Sequence, residues 1–169
     1  MNDGIYHPQS EDRMKAFQSG INDLRDKVAA IHAELVLISP PPFDKLPIKS
    51  RLVDKDAPEF GYKTPFEDYD LVLRDYASWL NSLAGEKLHV VDLHTEMNKA
   101  IVKKREKNSS FTFAQDGIHP NREGHLLMAT IVAQGLELNT ENFSHVSADK
   151  IAKDQLFGET AFSRDIHST

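Results

Sequence analysis

Asp116, Gly117, Ile118, His119 and Pro120 are the segment of this 169-residue chain with the clearest chemical content. An Asp three residues before a His, across a turn that Gly117 permits, lets the carboxylate accept a hydrogen bond from one imidazole nitrogen. The other nitrogen is then a base facing outward. Pro120 suits the first position of a helix, so the His is expected on a rigid element. The same five residues also fit an ordinary surface turn, because Asp-Gly is common in turns.

The neighbouring residues separate these readings. After Asp116, His119 and Pro120 come Asn121, Gly124 and His125 in N-x-x-G-H register, then the apolar run Leu126, Leu127, Met128 and Ala129. This stretch resembles the C-terminal D-x-x-H-P motif of the SGNH-type (GDSL) ester hydrolases. Near the other end, Met1, Asn2, Asp3 and Gly4 are similar to the family's G-x-N-D motif without its Gly, and residues 37–42 resemble the strand and loop that follow it. The resemblance covers about residues 1–138. It implies an α/β fold, a flavodoxin-like three-layer sandwich with a five-stranded parallel sheet, here truncated so that the first three strands are absent.

The resemblance also implies a metal-independent, cofactor-free Ser-His-Asp reaction on acyl or acetyl esters, of carbohydrates or lipids. His119 is then the general base and acid, Asp116 its orienter, and Asn2 the side-chain donor to the oxyanion, in a turn shaped by Asp3 and Gly4. The departure is the nucleophile. No Gly-Asp-Ser and no Gly-x-Ser-x-Gly occurs in the sequence. Ser39 is the best substitute, since it ends a predicted strand on the edge where open α/β folds place ligands. Pro40 follows it, however, so a polar residue closing a strand is the better reading. The chain therefore reads as the C-terminal portion of a longer enzyme, the nucleophile lying upstream. The alternatives are an inactive remnant or binding module, and a metal-dependent hydrolase with Asp116 and His119 as ligands.

The elements that must position these residues follow from periodicity. Met14, Phe17, Ile21, Leu24, Val28 and Ile31 recur at three-four spacing and predict an amphipathic helix from Ser10 to about Ile31. Leu35 to Ile38 is a short apolar run typical of a strand covered on both faces. Residues 39–65 hold six of the eight prolines and predict a long loop. Phe66, Tyr69, Leu73, Tyr76, Leu80 and Leu83 predict a second helix ending near Gly85, and Leu88 to Val91 a second strand closed by Asp92. A third helix is expected over about 93–107 and a fourth from Pro120 to about Gly135. Two strands make a poor sheet, so their partners are expected in the missing segment or in self-association. Residues 1–138 thus form one domain portion and 139–169 an extension, with a short helix expected near Ala148 to Leu156.

Composition narrows the remaining classes. The net charge is -6 and only Lys103, Lys104 and Arg105 form a basic run, which argues against a nucleic-acid partner. With no Cys there is neither a disulfide framework nor a thiolate site. No run approaches 18 apolar residues, and the first eight residues lack the pattern of a signal peptide. The seven other histidines have no H-E-x-x-H spacing, so no metal site is expected. His125 is expected to pack or cap near the site, and Asp92 to cap a helix. Phe43, Phe60 and Tyr62, outside any periodic stripe, are candidate pocket residues.

Overall fold

The computed structural model describes residues 5–85 and 88–138. Asn2, Asp3 and Gly4, the 139–169 extension and the helix expected within it lie outside the described residues. The elements follow in the order α1 (Glu11–Ala30), β1 (Val36–Ile38), α2 (Tyr69–Ser82), β2 (His89–Val91), α3 (Leu93–Arg105) and α4 (Arg122–Gly135). The connection from β1 to α2 is not a bare loop, since Leu46–Arg51 winds into a 3-10 segment.

The class is α/β. β1 and β2 pair in parallel, Val36 opposite His89, Leu37 opposite Val90 and Ile38 opposite Val91. Because side chains alternate along a strand, Leu37 and Val90 share one face and Val91 points from the other. On the first face Leu37 packs with Leu80 and Leu88, flanked by Phe17, Ile21 and Trp79. On the second, Val91 joins Leu93, Met97 and Ile131, which brings α3 and α4 onto the sheet. Each such fully buried Leu, Ile or Val stabilises the fold by about 1.5–3 kcal/mol. A third cluster of Ile5, Phe43, Ile48, Tyr69, Leu73 and Tyr76 is packed against by Ile118, the residue before His119.

Four expectations are corrected. The stripe on α1 is only partly used: Phe17 stacks on Tyr76 and Trp79 with centroids 4.5 and 5.7 Å away, but Leu24 is 42% and Ile31 74% exposed. β1 repeats the pattern, with Leu37 buried while Val36 and Ile38 stand exposed beside the covered Val91. β1 is an edge with no strand beyond it among the described residues, whereas parallel sheets are normally covered on both faces. The second helix begins at Tyr69 and not Phe66, because Val53 holds the preceding backbone extended through Val53 N–H to Pro65 O and Glu67 N–H to Val53 O. Finally, Pro120 is not at the first helical position. Asn121 caps α4, and Pro120 precedes the cap.

Helix ends explain where the chain turns. Ser10 caps α1 through Arg13 N–H, and Asp92 caps α3 through Thr95 N–H, as expected of Asp92. At the far end of α1, His32 adopts a left-handed conformation while His32 N–H bonds Ala29 O and Ala33 N–H bonds Val28 O. That pattern satisfies two carbonyls of the last turn and redirects the chain toward β1.

Candidate active site

The segment 116–119 folds on itself through one carboxylate. Asp116 Oδ1 accepts the backbone N–H groups of Ile118 at 2.9 Å and His119 at 2.8 Å. Its Oδ2 lies 2.7 Å from His119 Nδ1. With Nδ1 donating to the carboxylate, Nε2 carries the lone pair, and it has no hydrogen-bond partner among the described residues. The His119 side chain is 76% exposed, so the ring is open to solvent.

Two opposing influences act on Asp116. Partial burial pushes its carboxyl upward, but the hydrogen bond from the His119 ring, the two backbone N–H groups and the charge of His119 prevail and hold it below the usual carboxylate range. A lowered folded value means the pairing stabilises the fold above the unfolded carboxylate value and loses that effect as pH falls through the folded one. Asp116→Asn should therefore unfold at lower urea than the parent at pH 7, and the two should converge as pH falls through the lowered folded value of the carboxyl. Equal midpoints at pH 7 would remove the pairing from the account.

Gly117 makes the turn possible, with φ at +80°, where side chains are strained. A Cβ there would sit 2.6 Å from the Asp44 carbonyl oxygen. Gly117→Ala is expected to lower stability by about 1–3 kcal/mol, read from urea denaturation; a change within about 0.3 kcal/mol would contradict this steric account.

A partly buried ion pair fixes the turn from behind. Asp44 N–H donates to Gly117 O at 2.9 Å. The Asp44 carboxylate accepts Arg105 Nη2 on both oxygens, at 2.8 and 2.7 Å, and the Thr112 hydroxyl at 2.6 Å. Arg105 also donates through Nε to Phe111 O at 2.9 Å, so α3 grips both the turn's support and the segment leading into it. On the other side, Asn121 accepts Gly124 N–H at 2.9 Å. The spacing of Asn121 and Gly124 is thus a helix cap, and a Cβ at Gly124 would stand 2.9 Å from Pro120 Cβ.

The three prolines after β1, with Phe43, Tyr69, Leu73 and Ile118, border a groove of about 200 Å³ that ends at His119. Of the candidate pocket residues only Phe43 lies there. Phe60 packs edge-on against Phe66 with centroids 6.1 Å apart, and Tyr62 is exposed. His125, expected to pack or cap, is exposed, and the cap of α4 is Asn121.

Ser39 is 1% exposed, its hydroxyl accepting His94 N–H at 3.0 Å and lying 3.4 Å from Asp92 Oδ1. It closes a strand and ties it to α3. Among the described residues no serine hydroxyl is hydrogen-bonded to His119. Sequence reasoning passed over a second Asp-His pair: buried His94 places Nε2 3.2 Å from Asp70 Oδ1, which also accepts Phe43 N–H at 2.8 Å. The two residues are 24 apart and on different helices, so no local spacing announces them. Among the described residues no three His, Cys, Asp or Glu side chains converge on a point that would hold a metal ion, and no helix is long and apolar enough to cross a membrane.

Comparison with known proteins adds one finding. Neither the curated proteins nor the solved structures give a significant match. The family model for GDSL-like Lipase/Acylhydrolase matches residues 1–132. That span is well over half of the chain and takes in the Asp116 turn, the groove and most of α4. On this ground, the chain belongs to the GDSL-like lipase/acylhydrolase family.

Proposed function

We propose that this chain supplies the general base and its orienting carboxylate to a Ser-His-Asp ester hydrolase. The observation that carries the reading is the 2.7 Å contact of His119 Nδ1 with Asp116 Oδ2, at the end of a groove, with Nε2 unengaged. In the reaction Nε2 takes the Ser proton as the oxygen attacks the ester carbonyl, then returns it to the leaving alkoxide. Asp116, lowered by its hydrogen bonds, remains ionised and steadies the imidazolium formed in between.

Asn2 is proposed as the oxyanion donor. Support comes from Ile5, three residues on, whose buried side chain shares a cluster with Phe43, Tyr69 and Leu73 of the groove wall. Covalent geometry keeps Asn2 within about 11 Å of Ile5 along the backbone. The nucleophile is proposed to lie on polypeptide not in this sequence, which would also bring the strands of a three-layer flavodoxin-like sandwich. The exposed Val36 and Ile38 on the β1 edge support this, as does the lack of any Gly-Asp-Ser. Residues 1–138 are then part of the hydrolase domain and 139–169 an extension. The substrates are small-molecule esters, acyl or acetyl, of lipids or carbohydrates.

A fluorophosphonate probe that reacts with activated serines tests the assignment. The 169-residue chain alone should not be labelled and should not turn over p-nitrophenyl acetate. A longer polypeptide that adds an upstream Gly-Asp-Ser segment should be labelled, and His119→Ala should remove that labelling. Labelling of the chain alone would place the nucleophile within it, against the proposal. A longer polypeptide that stays unlabelled would favour a binding module over an enzyme.

A further inference from the structure

Pro40, Pro41 and Pro42 have no N–H, so the chain that leaves β1 cannot be secured there by hydrogen bonds that it donates. Whatever fixes this segment acts at its two ends. At the first end, Ser39 N–H donates to Val91 O at 3.0 Å, and the Ser39 hydroxyl accepts His94 N–H at 3.0 Å. At the second, Phe43 supplies the first backbone donor after the prolines, and it goes to Asp70 Oδ1 at 2.8 Å. The same oxygen lies 3.2 Å from His94 Nε2. One residue of α3 therefore serves both ends, through its backbone at Ser39 and through its ring and Asp70 at Phe43.

The residue after Phe43 touches the Asp116–His119 turn. Asp44 N–H donates to Gly117 O at 2.9 Å, and the Asp44 carbonyl oxygen stands 2.6 Å from where a Gly117 Cβ would be. With contact this close there is no gap to absorb a shift of residue 44, so a shift passes to the turn. Arg105 restrains the Asp44 side chain, whereas Asp70 restrains the backbone one residue earlier. The two supports are separate. Ser39, Phe43 and His94 are at most 4% exposed, so water is a poor substitute for the bonds they make.

We propose that His94 and Asp70 are positioning residues for His119. By clamping both ends of the triple-proline segment they set the place of Asp44, and through Gly117 the direction of the His119 ring. His94 Nε2 donates to Asp70 Oδ1, which accepts from Phe43 at the same time. This inference rests on the reading of His119 as the base and adds what aims it.

The clamp can be read in the 169-residue chain without turnover. Scalar coupling in the NMR spectrum between Asp44 N and the Gly117 carbonyl carbon reports that one hydrogen bond. Asp70→Ala should abolish the coupling and speed amide exchange at Asp44 by about tenfold or more relative to the amide of Ile131, inside α4. Asp70→Asn keeps a carbonyl oxygen that can stand in the Oδ1 position and accept both donors. It should restore the coupling and return exchange to within about threefold of the parent. His94→Phe retains the ring and the backbone N–H to Ser39 but has no ring donor, so it should speed Asp44 exchange in the same direction by less. If Asp70→Ala does not fold, His94→Phe supplies the comparison.

In a polypeptide that contains the nucleophile, Asp70→Ala should lower kcat about 10–10²-fold with KM within about twofold, and Asp70→Asn should recover most of the loss. An unchanged coupling in Asp70→Ala would overturn the proposal. So would equal acceleration at Asp44 and Ile131, which a merely structural role predicts, or an Asp70→Asn as impaired as Asp70→Ala. A rise in KM with kcat unchanged would count against it in the same way. A parent polypeptide without hydrolysis would count against His119 as the base, and the coupling would then decide the clamp by itself.

Discussion

Asp116→Asn should lower kcat for ester hydrolysis by about 10⁴-fold, with KM little changed, in a polypeptide that contains the nucleophile. The size of the effect comes from a constraint that the turn places on the new amide. Oδ1 of Asp116 accepts two backbone N–H groups, from Ile118 and His119. An Asn here keeps those bonds only with its carbonyl oxygen in the Oδ1 position, which turns its NH2 toward His119 Nδ1. That NH2 can only donate. The ring is then driven to the tautomer with the proton on Nε2, which cannot accept the Ser proton. The substitution therefore removes the base while preserving its position. Nitrogen NMR of the His119 ring would report the tautomer directly, and kcat within tenfold of the parent would defeat the argument.

Arg105→Met should destabilise the fold by about 3–5 kcal/mol, toward the lower end because the Arg105 side chain is 27% exposed. The loss is chiefly that of the partner left behind. Asp44 is buried, and without the guanidinium its carboxylate keeps the Thr112 hydroxyl and the Leu46 N–H but no cation. Three kcal/mol is a large share of the stability of a small domain. Arg105→Lys should recover only part, because an ammonium cannot span both carboxylate oxygens and Phe111 O with the same geometry. Urea denaturation of Arg105→Met, Asp44→Asn and the double variant would give the coupling. A coupling below about 0.5 kcal/mol would mean the pair does not brace the turn.

What the sequence disclosed and what it withheld differ by range. The existence of β1, β2 and α2 was legible from regular apolar spacing, although the run in β1 did not disclose that Val36 and Ile38 stand exposed. The Asp116 turn was legible for a similar reason. Its donors and acceptors lie within three residues of one another, and its flanking residues match a family pattern. The start of α2 was not, because Val53 competes for the backbone around Phe66 from far away in sequence. Nor were Asp44 with Arg105, or Asp70 with His94, whose partners meet only after the helices pack. The periodicity of α1 promised burial along its whole length, yet Leu24 and Ile31 are exposed, since a stripe states a preference for cover and does not supply the covering element.

The pairing of Asp116 with His119 closes across three residues, whereas its brace, Asp44 with Arg105, closes across 61. By loop-closure entropy the longer contact costs on the order of 2–3 kcal/mol more to form. The two therefore have different resistance to loosening. Mild denaturant or heat that separates α3 from the segment before Leu46 would release Gly117 from its support while the hydrogen bonds inside the turn persist. His119 would still be paired with a carboxylate and still basic, but no longer aimed at anything. For the proposed reaction, catalytic failure should then precede loss of the Asp116–His119 contact, so inactivation would begin as a loss of aim while the pair itself stays closed.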